Sequence, residues 1–337
     1  MSTTTALFLD REKLVSLLEN LARTLEIVAP IRVEGEPVFA TWRGEALALD
    51  ADNPLNSPVG FFLPQKEVLF KYVQYSGRYT FSEDGPKSRL ILGMRPCDLQ
   101  AIKVLDELFG KELPDNPYLS KRRSTIMVVL NCTRPGEECF CASVGSGPAA
   151  VEGYDLLLTD VGPGYLVESG SPAGMFILQA HSRYFEEALP EHLKEKERLL
   201  ALAEEEIEKR WPALTSEGIR RAIDETDWEE AERRCLRCGG CSLVCPVCHC
   251  FSVLDRGVPD GERLRCRDSC TLAGFSRMTS GANPRPSLGE RLRHWYLDKF
   301  VYIPLKTGMA GCVGCGRCSR VCLSDVDRWS LLREAIE

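Results

Sequence analysis

The chain has 337 residues, 44% of them hydrophobic, a formal net charge of −7, and 16 cysteines against four histidines. The length suggests two domains, and an acidic balance with sparse aromatic interleaving argues against a nucleic-acid surface. No apolar stretch is long enough to span a bilayer, and the four-residue apolar patch before Asp10, Arg11, Glu12 and Lys13 is too short for a signal peptide. The expectation is a cytoplasmic protein in which many cysteines mean metal.

From the N-terminus, Asp10–Leu25 carries Leu14, Leu17, Leu18, Leu21 and Leu25 at helical spacing. Strand-like runs follow at Pro37–Trp42, Arg89–Met94, Ser124–Leu130, Tyr154–Leu158 and Gly164–Glu168, with a helical pattern at Leu99–Leu108. Strand, helix and strand between Arg89 and Leu130 predict a βαβ unit, so residues 1–185 read as an α/β domain. Cys97 directly follows the first of those strands and Cys132 the second. Parallel pairing would bring both to one carboxyl edge, where Cys139 and Cys141 arrive through the Pro135-Gly136 turn. Four thiols converging there would hold a [4Fe–4S] cluster; a zinc ion fits the same residues, and buried thiols as core filler are the bland alternative.

Residues 186–225 change to a Glu/Leu/Lys/Ala composition: one long polar helix from Tyr184 to Lys209, a break near Trp211-Pro212, then a second helical piece from Ser216 to Arg233. This reads as a solvated helical linker. Residues 226–337 hold a formal +3, the preceding 225 residues −10.

Cys235, Cys238, Cys241 and Cys245 stand as C-x2-C-x2-C-x3-C-P, and Cys312, Cys315, Cys318 and Cys322 repeat the cysteine spacing. In the bacterial two-cluster ferredoxin run each motif lends its last cysteine to the other cluster. The expected ligand sets are therefore Cys235, Cys238, Cys241 and Cys322 for one [4Fe–4S] cluster, and Cys312, Cys315, Cys318 and Cys245 for the other. The fourth cysteine is expected at the start of a helix. Basic surroundings suit anionic clusters. Zinc ribbons space their knuckles differently, and disulfides rarely pack eight cysteines so closely. Between the motifs lie 66 residues, a long insertion into an α-rich, bacterial-type ferredoxin domain.

That insertion carries Cys248, Cys250, Cys266 and Cys270, with the last two expected at the start of a helix. Packing, a redox dithiol and a further metal centre all fit, with packing or mixed roles favoured. His249 reads as structural. Trp295, Tyr296, Phe300 and Tyr302, beside Arg291 and Arg293, read as a helix packed on the cluster domain. The loops Gly145–Pro148 and Val161–Gly164 lack the strand, G-x-G-x-x-G, helix arrangement, so no flavin or nicotinamide site is expected.

Several segments together resemble a known family. They are Ser57-Pro58-Val59-Gly60-Phe61-Phe62-Leu63-Pro64-Gln65, Ile91–Asp98, Asn131-Cys132 with Cys139-Phe140-Cys141, and Gly311–Cys318. The chain is similar over residues 55–322 to a family of iron–sulfur subunits. It includes the beta subunit of sulfhydrogenases, the A-type subunit of anaerobic sulfite reductase, and the related subunit feeding heterodisulfide-reductase complexes. The resemblance implies an electron relay between a reductase subunit of FAD/NAD(P)-binding type and a terminal redox subunit, of hydrogenase, sulfite reductase or heterodisulfide reductase type. Two departures stand out: Leu323 follows the last motif where Pro is common, and Cys266 replaces the Trp expected before Asp-Ser-Cys. With all four ligands thiolate, both motif clusters are closed to substrate, so a non-catalytic relay leads. A thiol–disulfide or heterodisulfide reductase using the Cys248–Cys270 group is the alternative, and a zinc-stabilised binding module the third reading.

Overall fold

The computed structural model describes residues 6–211 and 213–324. Strand β1 (Leu7–Asp10) runs into helix α1 (Arg11–Leu21), where the Asp10 carboxylate caps the first turn by accepting from the Glu12 N–H at 2.8 Å. Hairpins β2 (Glu26–Val33)/β3 (Glu36–Thr41) and β4 (Lys66–Tyr75)/β5 (Arg78–Ser82) follow. Next come β6 (Arg89–Met94), α2 (Pro96–Gly110), α3 (Asn116–Arg123) and β7 (Thr125–Leu130), the expected crossover. β8 (Leu156–Asp160), β9 (Gly164–Ser169), α4 (Pro172–Ala180) and β10 (Phe185–Glu187) complete the first half.

Eight of these strands form one sheet in the order β10-β1-β9-β8-β7-β6-β2-β3, with β2, β6, β7 and β8 parallel at its centre. β6 and β7 are almost wholly apolar because both faces of the sheet are covered. One face packs under α2 and the other under α1 and α4. Gly93 interrupts the β6 ladder with a bulge at φ +81°, and a Cβ there would lie 2.8 Å from Leu49. The bulge re-aims the strand end that delivers Arg95, Cys97 and Asp98.

Residues 186–225 are helical, as expected, and are also partly packed on the rest of the chain. They form α5 (Pro190–Arg210) and α6 (Ser216–Glu225), and the second helical piece breaks at Thr226–Asp227, where Asp227 caps a separate α7 (Trp228–Arg234). Most of α5 is polar and exposed, but its last turns bury Ala203 and Ile207. Trp211 is buried against Phe140, ring centroids 5.4 Å apart, and its carbonyl accepts from the Ser143 hydroxyl at 2.7 Å. The Arg210 guanidinium donates to the carbonyls of Gly136 and Glu137. Pro212 lies outside the described residues.

Helix α8 (Gly240–Leu243) follows, then β11 (Phe251–Arg256), β12 (Gly261–Arg267), α9 (Leu288–Leu297), a π-helical turn at Asp298–Tyr302, α10 (Ile303–Thr307) and α11 (Arg317–Arg320). The 66-residue segment between the motifs thus supplies a β-hairpin, which joins the early hairpin in a four-stranded antiparallel sheet, β11-β12-β4-β5. Cys266 stands on β12 rather than opening a helix, because Arg263 and Arg265 flank Leu264 with strand alternation. Buried Arg265 fixes this sheet to the first half, paired with Glu67 at 2.6 Å and with Asp115. The fold is mixed α/β, an N-terminal sheet domain with the two-motif region packed on it. One apolar cluster holds Val28, Ile91, Leu105 and Val129 together with Val247, Ile303, Val313 and Cys315. Among the described residues no helix is long and apolar enough to cross a membrane. The end of the expected 226–337 region, residues 325–337, lies outside the described residues.

Candidate metal centres

The two cysteine motifs adopt the same backbone. Gly239 (φ +71°) opens α8 and Gly316 (φ +69°) opens α11; two residues earlier in each loop Arg237 (φ +60°) and Gly314 (φ +58°) are also left-handed. The left-handed turns aim backbone N–H groups at sulfur: Arg237 N–H donates to Cys235 Sγ at 3.5 Å, and Gly314 and Arg317 N–H donate to Cys312 and Cys315. Such bonds stabilise a charged iron–sulfur cluster and raise its potential. Each fourth cysteine follows its one-turn helix; Cys245 comes after α8 and before Pro246, so it does not open a helix as expected. Val321, beside Cys322, faces Gly240 of the first motif, and Cys245 acts electrostatically on Cys312 and Cys315. Each motif's last cysteine is therefore carried toward the other motif.

The two ends differ in burial. Cys238 is exposed and Cys235 half-buried, whereas Cys312, Cys315 and Cys318 are all buried. Desolvation pushes the Cys312 thiol up to about 12 and raises that of Cys315 as well, so a metal must displace the proton from Cys312.

Cys97, Cys132, Cys139 and Cys141 line one pocket at the carboxyl edge of β6 and β7. Burial raises all four thiol pKa values, Cys139 to about 12. The same wall contains Arg95, 8% exposed, whose Nε has no hydrogen-bond partner among the described residues. A buried, unpartnered guanidinium N–H beside four thiols is a fit for an anionic group held there. Asn53 completes the wall, donating from Nδ2 to the Cys315 carbonyl at 3.2 Å.

Cys315 belongs to that wall too, so the thiol void and the second motif share it. The contact is backbone to backbone: Phe140 N–H donates to Gly314 O at 2.8 Å, and a Cβ on Gly314 would lie 2.6 Å from the Phe140 carbonyl. Glycine is required there by both φ and space. Beneath lies a fully buried ion pair. Arg317 donates to both Asp98 oxygens, at 2.7 and 3.0 Å, to the Pro54 carbonyl at 2.7 Å and to the Asn53 side chain. Ser57 donates to Asp98 at 2.8 Å. The segments 57–65, 94–98 and 312–318 therefore meet at one place.

The third group is built differently. Buried Lys299, from the π-helical turn, donates to Cys245 Sγ at 3.1 Å and Cys248 Sγ at 3.3 Å and lies 4.7 Å over the Trp295 ring. Burial alone would lower its pKa; nearby negative charge, from Cys245 first and also from Asp298, outweighs that and raises it. The Cys248 S–H and the Lys299 ammonium hold Cys245 well below the usual thiol range. Cys250 and Cys270 hydrogen-bond to each other. Cys266 stands opposite Ser252 and Lys66 on its strand. His249 is structural, its Nδ1 3.1 Å from Val247 O and its ring edge-on to Phe109. Lys299 and Arg317 are functional candidates that the sequence reading passed over; their one local sign is a cation amid aromatics or inside a cysteine loop.

Comparison with known proteins agrees with this geometry. Residues 234–326 match the family described as "4Fe-4S dicluster domain". Over 299 residues the chain is 30% identical to sulfhydrogenase 2 subunit beta of Pyrococcus furiosus, covering 87% of this chain and 86% of the relative. An iron–sulfur dicluster region on an N-terminal sheet domain, matched along nearly the whole length of that relative, makes this an iron–sulfur electron-transfer subunit of the sulfhydrogenase beta-subunit family.

Proposed function

We propose that this subunit holds three [4Fe–4S] clusters and relays electrons between a reductase subunit of FAD/NAD(P)-binding type and a terminal redox subunit of hydrogenase type in a cytoplasmic complex. Cys235, Cys238, Cys241 and Cys322 would hold the first cluster, Cys312, Cys315, Cys318 and Cys245 the second, and Cys97, Cys132, Cys139 and Cys141 the third. The observation that carries this reading is the shared wall: Cys315, from the second motif, lines the void of the other four thiols. Bound clusters would supply one-electron redox capacity. The chain's own residues hold the three sites close together, bury most of the sulfurs of the inner two, and leave an exposed edge at Cys238 for exchange with a partner.

Iron and acid-labile sulfide in anaerobically purified protein test the count. Three clusters' worth is expected, falling to two when Cys97 and Cys141 are changed to Ser, with the dicluster electron paramagnetic resonance signals unchanged. Two clusters' worth in the unmodified chain, or zinc at the four-thiol void, would overturn the third site. Arg95→Met, which removes a buried positive charge from that void, is expected to lower one cluster potential by tens of millivolts in a redox titration and leave the other two in place.

A further inference from the structure

We propose that Cys250 and Cys270 form a thiol–disulfide exchange site for a small disulfide, with Cys250 as the attacking sulfur and Cys270 as the resolving one. This activity stands apart from the relay and needs no cluster.

Four observations carry it. The two thiols are hydrogen-bonded to each other. They flank the base of one hairpin: Cys250 precedes β11, Cys270 follows β12, and Asp268 N–H donates to the Cys250 carbonyl at 2.9 Å. The surroundings are rigid. Arg267 donates to the carbonyls of Cys245 and Cys248 at 3.2 and 3.0 Å, and the Ser269 hydroxyl bonds to Ser242 and Thr271, each at 2.8 Å. Exposure is unequal, since Cys250 is half-buried and Cys270 is 4% exposed. Of the two, Cys250 is the more open to an incoming disulfide.

The electrostatics agree with that order. The Cys270 S–H bond, helped by Lys299, lowers the Cys250 pKa despite burial, while Cys270 is held up as the protonated thiol. Lys299 donates to the neighbouring Cys245 and Cys248 sulfurs and acts on Cys250 and Cys270 electrostatically.

The chemistry balances. The Cys250 thiolate attacks one sulfur of a disulfide RSSR, forming a Cys250–S–SR bond and releasing RS⁻, which takes a proton from water. Cys270 then attacks the Cys250 sulfur, its S–H proton passing to the departing sulfur, so that the Cys250–Cys270 disulfide forms and the second RSH leaves. Two electrons from the cysteine sulfurs reduce one disulfide to two thiols.

The test uses anaerobic holoprotein and oxidised glutathione, with peptide mapping by mass spectrometry and glutathione release as readouts. The intact chain should release two equivalents of glutathione and yield a cross-linked Cys250–Cys270 peptide. Cys270→Ser should release one equivalent and stop as a glutathione adduct on Cys250; Cys250→Ser should release none at this site, and Cys266→Ser should match the intact chain. The mapping on unaltered protein stands even if a variant fails to fold. Failure of Cys250 to react, metal held by Cys250 and Cys270, or two equivalents released by Cys270→Ser would overturn the proposal. Iron content is read separately, so loss of the three-cluster reading and loss of this one give different results.

Discussion

Replacing Asp98 by alanine should cost about 3–5 kcal/mol of stability, a large share of what holds any domain folded. Arg317 has no exposure, and its guanidinium is satisfied by Asp98, Pro54 and Asn53. Removing the carboxylate leaves a buried cation without its counter-charge and leaves the Ser57 hydroxyl without its acceptor. Asp98→Asn keeps the shape and should fall nearly as far, since it is the charge that is lost. The double change Asp98→Leu with Arg317→Leu should recover part of the loss, because two apolar side chains carry no desolvation penalty. Urea midpoints of the anaerobic proteins check this, and a loss under about 1 kcal/mol for Asp98→Ala would show that the pair contributes little.

Trp211→Ala is expected to cost about 3–5 kcal/mol, the range for emptying a buried aromatic site. The indole packs on Phe140, which lies between Cys139 and Cys141, so the loss should spread to the four-thiol void. Iron content should drop toward two clusters' worth while the dicluster signals persist. A variant with unchanged thermal stability and full iron would mean that the end of α5 is dispensable to that site.

Which parts are legible in the sequence follows from where each residue's partners come from. β6 and β7 declare themselves because buried parallel strands are continuous apolar runs. That one inference also carries the thiols that follow them to one sheet edge. β5 and β11 are exposed along their whole length, so an alternation such as Tyr79 and Phe81 in β5 marks no buried face and is easily passed over. β2 is obscured by Pro30, which discourages a strand assignment, although its pairing with β6 spans only Glu26–Val28. The segment ending at Trp211 reads as solvated because one buried stripe of Ala203 and Ile207 is diluted by a mostly exposed helix. Arg317 and Asp98 are 219 positions apart. Neither local pattern signals burial, and a charged residue between cysteines looks like surface until its partner is known. Lys299 is hidden in the same way, its thiol partners lying 54 and 51 positions upstream.

The four-stranded sheet is assembled from two hairpins that leave the ribosome far apart in time. Its inner pair joins β4 to β12, so the hairpin at residues 66–82 waits for residues 261–267 to leave the ribosome before it is covered on that edge. Asp98 waits longer still, for Arg317. The early half thus emerges with an open strand edge and an unpaired carboxylate, and closes late through contacts of long sequence separation. That order of events predicts slow maturation and a need for protection of the nascent chain against edge-to-edge association.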